Sequence, residues 1–153
     1  MTRPVSGHCL CGAVRVHVAD LPSAMEACHC ANCRRSTGGG PLLGVAVPKA
    51  DVTWEGEDHI RVHRSADWAE RGFCASCGST LFFRMAGEAA TANISLAPGV
   101  LDDMNGLELV SEMFIDQKPD GYDLAGDRPR HTRAQAMQML QDFLAKKAQE
   151  AKS

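Results

Sequence analysis

Short stretches of the chain alternate apolar and polar side chains with a period of two, which is the spacing of a β-strand with one buried face. In residues 13–19, three valines alternate with Arg15 and His17. Four further segments are short strand candidates: 42–48, 60–64, 79–85 and 92–97. Because Gly, Pro, Asn and Asp fill the gaps, the pattern predicts a meander of antiparallel strands and not βαβ units.

The segment LELVSEMFID is predicted to form one more strand, with apolar side chains on both of its sides. Leu109, Met113 and Ile115 share one side, whereas Val110 and Phe114 share the other. A strand with this pattern is expected to be covered on both faces.

The C-terminal segment changes to the pattern of a helix. From Thr132 onward the chain is rich in helix-forming residues, and Met137, Leu140 and Leu144 lie on one helical stripe. Thr132 and Gln135 have the spacing of a capping box, in which each side chain accepts a hydrogen bond from the other residue's backbone N–H. We therefore predict one C-terminal helix that packs on the sheets.

Composition limits the protein to a few classes. Its 153 residues are the size of one domain, and 44% of them are hydrophobic although only 5% are aromatic. The formal net charge of −3 gives no general attraction to phosphate backbones, so a nucleic-acid partner is not expected. No apolar run has the length of a membrane span or a signal peptide, and we expect a cytoplasmic protein that does not bind membranes.

Seven cysteines fall into three clusters, and their spacing is typical of metal ligands. An odd number cannot all pair as disulfides, which are rare in reducing compartments. The clusters are Cys9 and Cys11; Cys28, Cys30 and Cys33; and Cys74 and Cys77. A structural zinc site closes with four ligands, whereas a catalytic site keeps one position open.

Two partitions of the seven sulfurs are chemically sensible. One joins the first and third clusters into a closed four-thiolate site and leaves the middle cluster with a second, open metal site. The other joins Cys30 and Cys33 to the third cluster as a zinc ribbon and leaves three spare thiols. The first partition uses every cysteine, but spacing alone does not exclude the ribbon.

The cysteine clusters occur within longer motifs. GHCLCGAVRV, CHCANCRRSTGG and FCASCGSTLFF follow one another in this order. Together they resemble the glutathione-dependent formaldehyde-activating enzyme family, which also includes centromere protein V. Weaker similarity continues in GVLDD and EMFIDQKPDGY, so the resemblance covers about residues 5–125.

The resemblance implies the first partition of the cysteines. In the family, residues matching Cys9, Cys11, Cys74 and Cys77 hold a structural zinc, and those matching Cys28, Cys30 and Cys33 hold a second zinc with an exchangeable fourth ligand. We therefore expect two zinc ions per chain, one of them labile.

The resemblance also implies a mainly β fold. We expect an Mss4-like arrangement of several antiparallel sheets in one zinc-binding domain over residues 1–130, with the C-terminal helix, residues 131–153, packed on the same domain. Tyr122 lies near a position where many members have Trp, and the chain departs from the family pattern there.

An open three-thiolate zinc site suits a thiol substrate. Three thiolates leave the complex with one net negative charge, so the metal activates water poorly but still stabilises an incoming thiolate. With formaldehyde or another small aldehyde, this chemistry makes or breaks a carbon–sulfur bond. The resemblance implies glutathione as the thiol, and Arg34 and Arg35 are candidates to bind its carboxylates. The alternative is a zinc-binding protein-interaction module without catalysis.

We predict no metal-binding or acid–base role for the other polar residues near the motifs. Adjacent residues of an extended segment point to opposite sides, so His29 is expected to face outward and not to bind metal. Asp102, Asp103, Glu112 and Asp116 are expected in turns and at strand edges, without an acid–base role. The sequence does not specify the oligomeric state.

Overall fold

The computed structural model describes residues 3–153, and most of the regular structure in this range is β. The strands are β1 (Arg3–His8), β2 (Arg15–Leu21), β3 (Ala24–Cys28), β4 (Leu42–Pro48), β5 (Val52–Glu55), β6 (Ile60–Ala66), β7 (Ala69–Cys74), β8 (Thr80–Met85), β9 (Asn93–Leu96), β10 (Glu108–Met113) and β11 (Arg130–His131). The helices are α1 (Ala31–Thr37) and α2 (Arg133–Glu150).

Helix α2 begins where the sequence predicts. Thr132 is its N-cap, and the reciprocal hydrogen bonds of the capping box with Gln135 are both present. The predicted stripe of Met137, Leu140 and Leu144 is half-buried, whereas most other positions of the helix are exposed. Neither helix in the described range combines the length and the apolar composition that a bilayer-crossing segment needs.

The chain divides into two compact units, each built from two separate segments. Unit 1 comprises residues 1–25 and 43–109, and unit 2 comprises residues 26–42 and 110–153. The predicted division into residues 1–130 and 131–153 stays a prediction.

Unit 1 contains two antiparallel arrangements of strands. β1, β2 and β5 form a three-stranded sheet with β2 in the centre. β4, β9, β8, β7 and β6 lie side by side in that order. The core of this unit is mainly aliphatic, as the composition predicts, and Val16, Val45, Val47, Leu81 and Leu96 are at most 1% exposed.

Unit 2 places β10 between two neighbours. β3 lies on one side of β10, and β11 pairs with its other side in parallel, with Glu112 opposite Arg130. A 3-10 turn (Ile115–Gln117) follows β10, and α2 contacts both this turn and β11. Glu112 therefore lies on an internal strand, and the prediction that it lies at a strand edge is wrong.

The predicted fold class is confirmed: the chain is mainly β, with antiparallel sheets and a C-terminal helix. The five predicted one-faced strand segments correspond to β2, β4, β6, β8 and β9. The short helix α1 was not predicted, because its seven residues are too few for a helical repeat of apolar positions to be visible.

The strand predicted in LELVSEMFID is buried on both faces as expected, but it ends earlier than predicted, and its two buried residues are polar. β10 stops at Met113, and Phe114 has a left-handed backbone with φ 57° that turns the chain into the 3-10 segment. Ser111 and Glu112 are buried, whereas Val110 is 39% exposed. Both buried side chains have partners: the Ser111 hydroxyl donates to Glu26 Oε1 at 3.1 Å, and the Glu112 carboxylate accepts from Arg128 Nη1 at 2.7 Å.

Two cysteine clusters as candidate metal centres

Unit 1 brings four cysteines from two distant loops together. The Sγ atoms of Cys9, Cys11, Cys74 and Cys77 all lie within 4.8 Å of one another. The Sγ atoms of Cys9 and Cys11 are 3.6 Å apart, and those of Cys11 and Cys74 are 3.9 Å apart. Four zinc–sulfur bonds of about 2.3 Å in a tetrahedron place the sulfurs about 3.8 Å apart, so this tetrad fits a closed zinc site.

Tight turns after β1 and β7 present the tetrad. Gly12 and Gly78, with φ 79° and 77°, supply the left-handed backbone that lets each loop fold back past its two cysteines. The Gly78 N–H donates to the Cys74 carbonyl at 2.8 Å, and the Val14 N–H donates to the Cys9 sulfur at 3.3 Å. Backbone N–H groups aimed at sulfur are the usual support of a thiolate ligand.

Hydrogen bonds in the tetrad favour thiolate at two of its members. Burial raises the pKa of Cys9, but hydrogen bonds with the Val14 N–H, Cys11 and Cys74 outweigh it and leave the pKa below its ordinary value. Hydrogen bonds from the side chain and the backbone of Ser79 lower the pKa of Cys77 to about 5. Deprotonated sulfur is the form that binds a metal ion.

Unit 2 holds the second cluster, in which the Sγ atoms of Cys28, Cys30 and Cys33 lie within 4.8 Å of one another. Cys28 is the last residue of β3, Cys30 is the N-cap of α1, and Cys33 lies in the first turn of that helix. Cys33 is buried, whereas Cys28 and Cys30 are half-buried. Among the described residues, this trio has no fourth His, Cys, Asp or Glu ligand atom within the same distance.

Cys30 is the favoured thiolate of the trio. Hydrogen bonds from Cys28 and Cys33 and from the backbone N–H groups of Cys33 and Asn32 outweigh burial and hold its pKa well below the ordinary range. Hydrogen bonds with Cys30 and Cys33, which favour the protonated form of Cys28, raise the pKa of that thiol, and burial and the negative charge of Cys33 raise it further. A bound cation would remove this conflict, which is a second sign that the trio suits a metal.

The seven sulfurs are therefore grouped as in the first partition, and the ribbon arrangement does not occur. Sequence spacing left both partitions open, because it does not show which loops are adjacent in the folded protein. The antiparallel pairing of β1 with β2 and of β7 with β8 forms the loops that carry the tetrad.

His29 lies between two members of the trio, and the structure overturns its predicted outward position. The residue is 1% exposed. Its Nε2 is 2.8 Å from Glu112 Oε1, and its Nδ1 is 3.1 Å from the Tyr122 hydroxyl. The prediction failed because the side of the segment opposite the sulfurs faces the interior of unit 2 and not solvent.

Glu112 is the centre of a buried polar cluster in unit 2 that the sequence did not reveal. Its Oε1 contacts His29. Its Oε2 accepts hydrogen bonds from Arg128 Nη1 at 2.7 Å and Arg130 Nε at 2.9 Å. Burial raises the pKa of Glu112, but these donors outweigh it and hold the pKa below its usual value. The only sequence signal was the strand spacing of Arg128 and Arg130, which does not identify their partner.

The predicted substrate-binding arginines lie in the last turn of α1, beside the trio in sequence. Arg35 is exposed, and its guanidinium is 3.5 Å from the Ala31 carbonyl. Arg34 is half-buried, and its guanidinium forms no hydrogen bond or ion pair within residues 3–153. Cationic side chains near a helix C-terminus also stabilise the helix, whatever else they bind.

The chain is similar to known proteins over most of its length. The family model described as glutathione-dependent formaldehyde-activating enzyme matches residues 4–117. An uncharacterised lyase of Schizosaccharomyces pombe is 27% identical over 136 residues, which cover 88% of this chain and 95% of that protein. A Halomonas elongata protein, named as a candidate glutathione-dependent formaldehyde-activating enzyme, is 32% identical over 85 residues, 51% of this chain and 54% of that protein.

A solved structure supports the fold. The crystal structure of a Rhodobacter sphaeroides protein superposes with a TM-score of 0.54 at 17% identity, covering 82% of this chain and 98% of the other. The family model matches most of the chain, including all seven cysteines. The chain therefore belongs to the glutathione-dependent formaldehyde-activating enzyme family.

Proposed function

We propose that this protein is a zinc-dependent carbon–sulfur lyase that joins a thiol such as glutathione to formaldehyde or a related small aldehyde, or catalyses the reverse reaction. The observation that carries the proposal is the trio of Cys28, Cys30 and Cys33. Its sulfurs are close enough to share one ion, and Cys28 and Cys30 are only half-buried. Three sulfurs leave one tetrahedral position for a guest.

The tetrad of Cys9, Cys11, Cys74 and Cys77 has a structural part in this proposal. Four thiolates fill the coordination sphere of zinc, so no position remains for a substrate. A metal here would tie the loop after β1 to the loop after β7, which are more than sixty residues apart in sequence. Metal binding at such a site contributes directly to folding.

The reaction at the trio adds the thiol to the carbonyl carbon. Bound zinc would lower the pKa of the incoming thiol and hold its sulfur beside the aldehyde. The sulfur–carbon bond forms, the carbonyl π electrons move to oxygen, and that oxygen takes up the proton that the thiol released. Cys28, Cys30 and Cys33 hold the site, and the guanidinium groups of Arg34 and Arg35, in the last turn of α1, offer positive charge to a substrate carboxylate.

Metal content and turnover test the proposal together. The zinc-loaded protein is mixed with formaldehyde and glutathione, and the rate of adduct formation is followed by NMR exchange spectroscopy. The expected result is two zinc ions per chain and a rate above that of the spontaneous reaction. Two tightly held ions without acceleration would instead indicate a zinc-binding interaction module.

Two matched serine variants test whether the trio is catalytic and the tetrad structural. Cys30→Ser should give a folded protein that keeps one zinc and loses the acceleration, since only the trio loses a ligand. Cys74→Ser should fail to fold, because the tetrad then lacks its fourth thiolate. Circular dichroism and zinc analysis read out both, and an unfolded Cys30→Ser protein would contradict the assignment.

A further inference from the structure

The peptide that carries two of the trio's sulfurs is fixed from its opposite side. His29 separates Cys28 from Cys30, and Cys30 has an extended backbone with φ −62° and ψ 159°. Side chains alternate in extended backbone, so the imidazole projects away from the two sulfurs. Its side chain is 0% exposed, whereas both cysteines are half-buried.

Both ring nitrogens of His29 are occupied, so this histidine is not available as a metal ligand. Glu112 is ionised and acts as an acceptor, so Nε2 carries the hydrogen of the 2.8 Å bond. Nδ1 lies 3.1 Å from the Tyr122 hydroxyl, so it also has a hydrogen-bond partner.

Hydrogen bonds from two backbone N–H groups, one before and one after Cys30, also fix this segment. The His29 N–H donates to the Met113 carbonyl at 3.0 Å. The Ala31 N–H, next to Cys30, donates to Gln117 Oε1 at 3.0 Å. β10 and the 3-10 turn that follows it therefore hold residues 29–31 at three points, of which the His29–Glu112 contact is the most deeply buried.

We infer that His29, Glu112 and Gln117 are positioning residues for the metal site of the trio. They hold the Cys28–Cys30 peptide so that both sulfurs are at ligand separation before an ion arrives. This inference rests on the proposed function, since it needs an ion at the trio. Partners that orient the ligands of a metal typically change its affinity tenfold to a hundredfold when they are removed.

The test measures how fast the labile ion leaves. Wild type and variants are loaded with Zn²⁺, and release to a chromophoric chelator is followed by absorbance. His29→Ala should release the trio's ion about tenfold faster or more. His29→Gln, which can keep a donor to Glu112, should restore most of the slow rate. Tyr122→Phe removes only the outer contact and should stay within about twofold of wild type.

Two internal readouts separate positioning from folding. The tetrad's ion should leave at the wild-type rate in every variant, which shows that unit 1 is intact. Loading the trio with Co²⁺ gives thiolate-to-cobalt absorption bands, and these should change in His29→Ala and recover in His29→Gln. A purely structural role would leave the cobalt bands of the folded protein unchanged.

If His29→Ala does not fold, Gln117→Ala tests whether these residues position the trio. The variant frees only the Ala31 N–H, so release should accelerate about threefold, the effect of one modest hydrogen bond. Folded variants with wild-type release rates and cobalt bands would overturn the inference and leave the proposed function standing. A wild-type protein that binds only one ion would overturn both.

Discussion

Removal of the Glu112 carboxylate should be among the most damaging single changes in unit 2. Glu112→Ala leaves the Arg128 side chain, which is 8% exposed, without its 2.7 Å partner, and it leaves the His29 Nε2 hydrogen unsatisfied. Breaking a buried ion pair in this way costs about 3–5 kcal/mol of folding free energy. Loss of the Arg130 contact adds less to this cost, because the Arg130 side chain is 35% exposed and water can replace the lost carboxylate.

The assay is thermal unfolding of the zinc-saturated protein, followed by circular dichroism at pH 7. For a chain of this length, 1 kcal/mol corresponds to about 2–4 °C in Tm, so Glu112→Ala should lower Tm by about 6–20 °C. Glu108→Ala is the matched control, because Glu108 lies on the same strand and is exposed, and its effect should stay within about 0.5 kcal/mol. If the free energy of unfolding of Glu112→Ala is within about 1 kcal/mol of wild type, the buried polar cluster around Glu112 does not stabilise unit 2 by the expected amount.

Two further predictions follow from the same structure. The pKa of Glu112 is lowered on folding, so its stabilising contribution is complete above the usual value of about 4.3 and is lost as the pH falls through the folded pKa. The difference in urea midpoint between wild type and Glu112→Ala should therefore shrink below about pH 4, and a constant difference would contradict the assignment. Gly7→Ala should destabilise unit 1 by about 3 kcal/mol or more, because the new Cβ would lie 2.0 Å from the Val100 carbonyl oxygen. Urea denaturation checks this, with Gly99→Ala, at a site with open space around the glycine, as the comparison.

Much of the strand pattern could be predicted because it depends on local alternation. Valines at every second position define β2 in the sequence as clearly as in the sheet, and the capping box of α2 depends only on Thr132 and Gln135. β10 was harder, because its buried residues include Ser111 and Glu112. Alternation of apolar residues marks a strand only where the buried side is apolar.

The sequence by itself determined which residues are the candidate metal ligands. The three cysteine clusters, their spacing and the surrounding motifs indicate the family and limit the candidate ligands to seven sulfurs, because metal-binding loops are local structures. The tertiary structure decided how those sulfurs are grouped and how the trio is supported. Glu112 and His29 are 83 residues apart, and a buried carboxylate is stable only beside partners that the fold brings to it.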